Sequence, residues 1–369
     1  MTGLQDRLTP AQVEEFGREL DALRQRIVDD LGEEDLEYIR KIIKTQRALE
    51  VTGRGLLFAG FLPPAWLAGV AALSAAKILD NMEIGHNVMH GQYDWTRIPE
   101  LSSQRFEWDT VAPSENWRHS HNYIHHTYTN IVDKDRDVGY GILRMDPAQK
   151  WHPYYLGNPV YATLLALLFQ WGVMLHDLEV DRVVKGERTW AENVPVLRRI
   201  VRKASRQVGK DYVLFPLLTG PLAPLTLLGN ASANLVRNLW AFSIIFCGHF
   251  PADVESFTEE ETENETRGQW YLRQILGSAN ITGSPLFHIL SGNLSHQIEH
   301  HLFPDLPARR YPQIAGEVRE ICERYGLPYN TGPLHRQLWS VAKKIVRLAL
   351  PGKPGPAATV DPERQLRAA

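Results

Sequence analysis

Residues 121–126 of the chain read HNYIHH, and residues 296–301 read HQIEHH with the same spacing of histidines. A related pair, His86 and His90, stands earlier in the sequence. These three clusters contain eight of the 14 histidines. Histidines four residues apart lie on one face of a helix, one turn apart, so each cluster predicts imidazoles that point the same way.

The number of clustered histidines points to metal binding. Imidazole is a common ligand of iron, copper, zinc and nickel, and eight imidazoles exceed what one ion accommodates. A single pair at helical spacing arises often by chance and usually reflects packing or surface exposure. Three clusters, two of them with the same doubled ending, favour metal over that interpretation. The sequence therefore predicts a centre of two metal ions held by histidine.

Two other kinds of metal site fit the sequence less well. A zincin helix has a glutamate directly after its first histidine, where this chain has Asn87. Soluble proteins that bind two metals mainly through carboxylates use two Glu-x-x-His pairs, and only the stretch Glu83–His86 matches that pattern. The histidine-rich site is therefore favoured over the carboxylate-rich one.

The three clusters resemble the three histidine boxes of the membrane fatty acid desaturase family. The flanking residues match as well, with GHNVMHG at 85–91, WRHSHN at 117–122 and QIEHHLFP at 297–304. The resemblance covers about residues 50–330 and is closest to bacterial, especially actinobacterial, acyl-CoA desaturases. It implies an enzyme that uses two non-haem iron ions, O2 and two electrons to insert a double bond into a long-chain acyl substrate, carried as acyl-CoA or acyl-lipid.

The same resemblance implies the site residues. It makes metal ligands of His86, His90, His121, His125, His126, His300 and His301. The family also takes a ligand from the end of its last transmembrane helix, which here implies His249. At the first position of the third box we favour His296 over Gln297, because His296 repeats the spacing of the second cluster. Candidates for groups that hydrogen-bond to the ligands are Asp80, Glu83, His119 and Glu299.

Composition excludes several classes of protein. A formal net charge of −3 gives no excess of positive charge of the kind that binds nucleic acid. Two cysteines, Cys247 and Cys322, cannot form a disulfide framework and suit a reducing compartment. The opening residues Met1–Arg7 lack the apolar core of a signal peptide.

Uneven charge predicts membrane segments. Residues Gly55–Ala76 carry no charge over 22 positions, enough to cross a hydrocarbon core of about 30 Å. Between Tyr212 and Ala252 the only formal charge in 41 residues is Arg237, which predicts two short passes with a turn at Gly229–Ser232. Within the first segment, Pro63–Pro64 is either a turn between two short helices or a kink in one.

A shared metal site requires all three boxes on one side of the membrane. A third pass would put the boxes on opposite sides of the membrane. Residues Leu156–Leu175 are therefore expected to lie at the membrane–water interface or against the cytosolic part that holds the metal site. The nine Lys or Arg residues of Arg182–Lys210 mark that side as cytoplasmic. We therefore predict an all-α integral protein of the cytoplasmic (inner) membrane, with transmembrane hairpins and a cytosolic helical cap that holds the dimetal site.

The ends of the chain complete the predicted organisation. Residues Thr9–Gln12 predict the start of a helix with a capping box, within an amphipathic N-terminal region at 1–50. The desaturase domain is expected at 51–335. A tail rich in Pro, Gly and Ala at 351–369 is expected to be disordered.

Partners and alternatives follow from what surrounds the boxes. The chain has no haem-binding motif of a fused cytochrome b5, so electrons are expected from an external donor such as a ferredoxin or a ferredoxin-type NADPH oxidoreductase. The acidic run Asp253–Glu265 is either a docking surface for a basic partner or a solvated loop.

Hydroxylation of acyl chains or alkanes is the alternative reaction. A membrane metal transporter is disfavoured, since the second and third boxes lie outside the apolar stretches. The double-bond position, chain length and acyl carrier stay open.

Overall fold

The computed structural model describes residues 7–184 and 186–352, and over that part the protein is mostly helical. The predicted tail at 351–369 therefore lies outside the described residues except for its first two. The α-helices are α1 (Pro10–Asp29), α2 (Glu33–Leu57), α3 (Pro63–Ile78), α4 (Asn87–Met89), α5 (Ser114–Trp117), α6 (His126–Tyr128), α7 (Asn158–Leu167), α8 (Phe169–His176), α9 (Val180–Val184), α10 (Trp190–Val208), α11 (Phe215–Leu218), α12 (Ala223–His249), α13 (Arg267–Leu276), α14 (Pro285–Leu290), α15 (Gln297–Leu302), α16 (Tyr311–Arg324) and α17 (Leu334–Ala349).

Wider and tighter helical turns join several of these helices. Segments of π-helix are Leu79–His86, Arg118–His125 and Gly209–Leu214. Short 3-10 helices are Asp94–Thr96, Pro99–Leu101, Gly139–Gly141, Pro153–Gly157, Gly220–Leu222, Glu260–Thr262 and Ala308–Arg310. Two short parallel strands, β1 (Asn280–Thr282) and β2 (Thr331–Pro333), pair in the register Asn280 with Thr331.

The first helix begins as its sequence predicts. The Thr9 side chain accepts the backbone N–H of Gln12, and the Gln12 side chain accepts the backbone N–H of Thr9, which together form the expected capping box. The apolar face of α1, with Phe16 and Leu20 fully buried, packs into a core shared with α13, α15 and α16. This core lies directly behind the third histidine cluster.

Two helical hairpins carry the apolar stretches. Helices α2 and α3 are joined by residues 58–62, and Pro63–Pro64 occupies the first turn of α3, so these prolines follow a turn between two helices. Helices α11 and α12 are joined through the turn at residues 219–222. The predicted turn at Gly229–Ser232 is therefore wrong, since these residues lie inside α12. Gly229 faces the other hairpin instead, where a Cβ would lie 3.0 Å from Leu57 Cδ2.

No single described helix is long and apolar enough to cross a membrane alone. One bent pair, Pro153–Leu167 with Phe169–His176, reaches that threshold together, with an angle of 103° between its two parts.

A buried ionic network ties the two hairpins together. The Asp211 carboxylate accepts hydrogen bonds of 2.7 Å from both Arg54 and Lys77, and its exposed fraction is zero. Asn230 joins the same network, accepting from Arg54 at 2.7 Å and donating to the Asp211 carbonyl at 2.6 Å. Charges removed from water persist only when they are paired and hydrogen-bonded, so this network fixes how the hairpins pack below the histidine clusters.

Candidate metal centre

The histidine clusters lie where regular helix gives way to wider turns. His86 closes one π-helical segment and His125 closes another, so the first two clusters each continue into a short α-helix. The third cluster lies on α15, which begins at Gln297, and His249 is the last residue of α12. A π-helical turn widens the helix locally and is frequent at functional sites. Here it directs the rings of two separate segments toward one space.

Eight of the nine predicted ligands come together in the buried interior. Within each of three overlapping groups, one ligand atom per residue lies within 4.8 Å of the others. The groups are His86, His90, His121 and His300; His125, His249 and His301; and His126, His300 and His301. Two of these groups share no residue, and His126 lies between them, which is an arrangement for two neighbouring metal ions.

Several nitrogens inside this cluster lack a hydrogen-bond partner in the part of the chain that the structure describes. Among the described residues, no partner reaches Nε2 of His90, His121, His125 and His300, or either ring nitrogen of His126. Buried polar atoms almost always have a partner, so such a convergence of orphaned nitrogens needs an explanation. Metal ions supply it, because a neutral imidazole nitrogen is a strong ligand for iron, zinc and copper.

Two carboxylates that the sequence reading missed support the ligands from outside. His125 Nδ1 lies 2.9 Å from Asp135 Oδ2, and His121 Nδ1 lies 3.3 Å from Asp137 Oδ2. A carboxylate only accepts, so these contacts place the proton on Nδ1 and leave Nε2 free for a metal. Asp137 Oδ1 is also 3.3 Å from Nε2 of His176. The signal in the sequence is the Asp-x-Asp pattern that follows the second box.

Neutral groups hold the third cluster in the same way. His301 Nδ1 lies 3.0 Å from Gln274 Oε1, and His300 Nδ1 lies 3.3 Å from the Tyr311 hydroxyl. A carbonyl-type oxygen only accepts, so the Gln274 contact orients the His301 ring with Nε2 inward. That Nε2 is 3.2 Å from Nε2 of His249.

Electrostatics keep the cluster ready to bind metal. Burial lowers the pKa of His86 to about 3 and holds the pKa values of His90, His126 and His300 well below 6.5. Burial also disfavours charged His125, but the Asp135 and Asp137 carboxylates together outweigh burial and raise the pKa of His125. His86, His90, His126 and His300 are therefore neutral at physiological pH, which is the form that coordinates a metal.

The structure does not bring His296 to the eight clustered histidines. Its ring packs on His288, with 4.6 Å between the ring centroids, and it belongs to none of the three groups described above. Gln297 takes the inward place, with its Nε2 3.0 Å from Nε2 of His249. The physical reason is that α15 starts at Gln297, so His296 has non-helical dihedrals and does not share the face of His300.

The four residues expected to support the ligands are placed elsewhere. In the described part of the chain, none of them is hydrogen-bonded to a clustered imidazole. Asp80 accepts from the backbone of Asp109, and Glu83 accepts from the hydroxyl of Tyr38. The remaining contacts join Glu299 to Tyr329 and Asn280, while exposed His119 stacks on Tyr123. Burial raises the pKa of Glu83 to about 8 and that of Glu299 to about 7.

A largely apolar cavity opens on the histidines. Its lining includes His86, His121, His125 and His249. Its walls include Trp108, Tyr140, Phe169, Val173, Ala241 and Ile245. A cavity with a largely apolar lining favours apolar molecules, so the clustered histidines face a site that suits a hydrocarbon.

Removing the Asp135 carboxylate should weaken metal binding. In Asp135→Asn the amide is a poorer acceptor for His125 Nδ1, so we expect metal affinity to fall about 10- to 100-fold. Metal content measured by atomic spectroscopy against free metal concentration tests this. Asp133→Asn is the matched control, because Asp133 is exposed on the same loop. Equal metal content in both variants would contradict the supporting role.

Comparison with known proteins agrees with this geometry. The family model for fatty acid desaturases matches residues 63–333. The chain is 49% identical over 350 residues to the NADPH-dependent stearoyl-CoA 9-desaturase of Mycobacterium tuberculosis, covering 94% of this chain and 82% of that protein. It is 27% identical over 285 residues to the sn-1 linoleoyl-lipid 6-desaturase of Synechocystis, covering 75% and 79%. With clustered imidazoles, a largely apolar cavity beside them and this match, the chain belongs to the fatty acid desaturase family.

Proposed function

We propose that the protein inserts a double bond into the hydrocarbon chain of a long-chain fatty acyl-CoA, using O2, two externally supplied electrons and two iron ions. The observation that carries this proposal is the apolar cavity that ends on the clustered imidazoles. A saturated chain offers no polar handle at the reacting carbons. Position in a fitted cavity therefore decides which carbons meet the metal centre.

The residues present fit a pair of iron ions. One ion would be held by His86, His90, His121 and His300, and the other by His125, His249 and His301, with His126 between them. Imidazole suits iron, and bound iron would supply the activation of O2 that a protein side chain cannot supply. Iron is favoured over the other metals because the chain belongs to the fatty acid desaturase family.

The protein's own part in the reaction is to bind, orient and exclude water. Trp108, Trp117, Phe169 and Val173 contribute apolar surface to the cavity that the histidines also line. This lining accepts a hydrocarbon and excludes water, which protects a reactive centre from side reactions. Asp135 and Asp137 keep the proton of each facing imidazole on Nδ1, so the ligands stay aimed at the metals.

The substrate and electron source are proposed from the Mycobacterium relative. That protein is named as an NADPH-dependent stearoyl-CoA 9-desaturase. We therefore propose an 18-carbon saturated acyl-CoA, a double bond at position 9, and electrons that pass from NADPH through a separate ferredoxin-type oxidoreductase. The Synechocystis relative is named for a lipid substrate, so an acyl-lipid is the alternative carrier.

The protein is proposed to lie in the cytoplasmic membrane with the metal centre on the cytoplasmic side. Large apolar side chains are exposed on both hairpins, including Phe61, Leu67, Leu217 and Leu228. Contiguous apolar surface of this kind marks a membrane or partner interface.

The nine cationic residues of Arg182–Lys210 favour the cytoplasm for the adjoining surface. Leu164 and Leu168 are exposed at the bend between α7 and α8, which supports an interfacial position there.

Fatty acid profiling tests the reaction directly. We expect a bacterium that produces the protein with a ferredoxin and its reductase to accumulate a new monounsaturated acid, with the double bond located by derivatisation and mass spectrometry. The double variant His300→Ala, His301→Ala should lose at least about 100-fold of this product, since it removes ligands to both ions. His335→Ala is the control, because that side chain is exposed and distant in sequence from the boxes.

Other outcomes of the same experiment would contradict the proposal. A hydroxy acid in place of the unsaturated acid would make the protein a hydroxylase. Equal product from the double variant would remove the clustered histidines from the reaction. An unsaturated acid found only in intact lipids, with none on CoA at early times, would replace the proposed acyl-CoA by an acyl-lipid.

A further inference from the structure

We propose that Asp80 and Asp109 are positioning residues that fix one wall of the apolar cavity against the metal ligands and thereby set where along the acyl chain the double bond is placed. The wall segment is residues 107–113, and the side chains that it contributes to the cavity are Trp108, Thr110 and Ala112. This inference rests on the proposed reaction and adds a determinant of its position. A saturated chain has no polar group at the reacting carbons, so the walls of the cavity must position it.

The wall segment has no regular structure of its own. Residues 107–113 lie between the first and second boxes and belong to no helix or strand. Trp108 and Thr110 are buried and line the cavity, whereas Glu107 is exposed and Asp109 is half-buried. A segment without a ladder of backbone hydrogen bonds depends on groups from other elements to hold its conformation.

One hydrogen bond holds the wall segment to the helix of the first box. The backbone N–H of Asp109 donates to Asp80 Oδ2 at 2.7 Å. Asp80 belongs to the π-helical segment Leu79–His86, which ends at a predicted metal ligand. A hydrogen bond to a carboxylate is stronger than one between neutral groups. The position of the wall segment relative to His86 is therefore fixed through this bond and the helical backbone.

Other charged groups hold the same part of the wall segment. The Asp109 carboxylate accepts from Lys210 Nζ at 2.5 Å and from Lys77 Nζ at 3.4 Å. Lys203 Nζ donates to the Trp108 carbonyl at 2.5 Å. Because these cations come from two different helices, α3 and α10, they restrain Asp109 from more than one direction. The network leaves the wall segment a single position.

The wall segment also packs directly on residues of both boxes. The ring of Trp108 lies 5.3 Å from that of Trp117, which in turn stacks on His121 at 4.4 Å between centroids. Next to His86, a Cβ at Gly85 would lie 3.1 Å from Trp108 Cβ, so glycine allows this close approach. A displacement of the wall segment would therefore change the shape of the cavity directly beside the metal ligands.

Small displacements matter for this reaction. A misplacement of about 1 Å can cost about 100-fold in rate, and neighbouring pairs of carbons along an acyl chain differ by about one bond length. A loosened wall segment should therefore let more than one pair of carbons reach the metals. Loss of the Asp80 bond is expected to change the position of the double bond as well as the amount of product.

The position of the double bond tests this role separately from folding. We would compare Asp80→Ala with Asp80→Asn in the fatty acid profiling experiment. Asp80→Ala removes the acceptor of the Asp109 N–H, whereas Asp80→Asn keeps an oxygen that can accept it. Asp94→Ala is the matched control, because Asp94 accepts the backbone N–H of Ser103 at 2.7 Å and neither residue lines the cavity.

In Asp80→Ala we expect isomers with the double bond at neighbouring carbons to become about tenfold more abundant relative to the main product, since loss of one hydrogen bond to a buried group changes such a preference by about this factor. Asp80→Asn and Asp94→Ala should both keep the position found in the wild type. Less product from Asp80→Ala at an unchanged position would show that the bond serves folding alone and would overturn the inference. If the product is a hydroxy acid, the position of its hydroxyl group is read in the same way.

Hydrogen exchange followed by mass spectrometry tests the wall segment without relying on product. Exchange in residues 107–113 should be about tenfold faster in Asp80→Ala than in the wild type or Asp80→Asn, because the Asp109 N–H loses its acceptor. In the metal-loaded wild type, stearoyl-CoA or, separately, distearoyl phosphatidylcholine should slow exchange in this segment. Unchanged exchange in Asp80→Ala, or no protection by either ligand, would overturn the inference. Protection in a protein that forms no product would contradict the proposed reaction alone.

Discussion

His249→Ala should abolish product and lower the metal content toward one ion per chain, whereas His296→Ala should leave both nearly unchanged. His249 belongs to the group with His125 and His301, and a site that loses one of three imidazoles binds metal far more weakly. His296 instead packs on His288, away from the groups. We expect product from His249→Ala to fall at least about 100-fold, beyond the loss typical of removing a supporting hydrogen bond.

The comparison is sharp because the two variants remove the same side chain. Metal content by atomic spectroscopy and product by mass spectrometry are measured on each, together with Gln297→Ala. If His296→Ala loses metal as His249→Ala does, the placement of His296 outside the cluster is incorrect. If Gln297→Ala loses product but keeps its metal, Gln297, which also lines the cavity, acts on the substrate.

The sequence predicts the clustered histidines well because their spacing is a local property. Residues four apart on a helix share a face, and this relation holds where helical structure spans the whole cluster. It fails at His296, whose φ of −105° and ψ of 58° place it before the first turn of α15. The second and third boxes have the same pattern of histidines. The helical structure begins before His121 in the second box but only after His296 in the third, and this difference is visible only in the backbone.

Turn prediction failed for a different reason. Gly229, Asn230 and Ser232 have the composition of a turn, yet they continue α12. Gly229 is small because Leu57 and Trp66 pack against it, and Asn230 bonds to Arg54 and Asp211 across the hairpins. The actual turn at residues 219–222 contains Gly220–Pro221, a dipeptide typical of turns, which the sequence analysis did not use. Packing between helices distant in sequence therefore overrides local composition at these positions.

The supporting carboxylates were missed because proximity in sequence is a weak guide to proximity in space. Glu83 and Glu299 stand beside boxes but turn away from the metals, to Tyr38 and Tyr329. Asp135 lies ten residues after His125 and returns to it through the loop at residues 129–135, where its Oδ2 also accepts the backbone N–H of Asn130 at 2.8 Å. Whether a residue on a loop folds back to contact an earlier histidine depends on the loop conformation, and hydrophobic periodicity does not predict that conformation.

Asp35→Ala should be among the most destabilising single substitutions outside the metal centre. Asp35 is fully buried, and its two oxygens accept from Arg310 Nε at 2.7 Å and from a second Arg310 nitrogen at 2.8 Å. Its Oδ2 also accepts the backbone N–H of Gly32 at 3.1 Å, which caps α2. Removing one partner of a buried pair costs about 3–5 kcal/mol when the other charge is left alone. Arg310 keeps a hydrogen bond of 2.8 Å to the Asp30 carboxylate, so we expect a loss near the lower end of that range.

This pair matters to the site because Arg310 directly precedes Tyr311, whose hydroxyl is 3.3 Å from Nδ1 of His300. The measurement is the unfolding transition of the purified protein in detergent, followed by heat or denaturant. Glu33→Ala is the control: the Glu33–Arg40 pair lies one turn away with side chains 68% and 51% exposed, and such pairs contribute at most about 1 kcal/mol. Equal destabilisation by the two substitutions would show that the Asp35 pair is not the anchor of α2.

The pH dependence of Asp35→Ala gives an additional test. Burial alone would raise the pKa of Asp35, but the hydrogen bonds from Arg310 and Gly32 outweigh burial and hold it below its ordinary value of 3.8. A carboxyl with a lowered pKa stabilises the fold fully above the pKa of the unfolded chain, and this contribution is lost as the pH falls through the folded value. The gap in stability between wild type and Asp35→Ala should therefore be largest near neutral pH and shrink progressively below about pH 3.8, whereas a gap of constant size would mean that the lost interaction is packing and not charge.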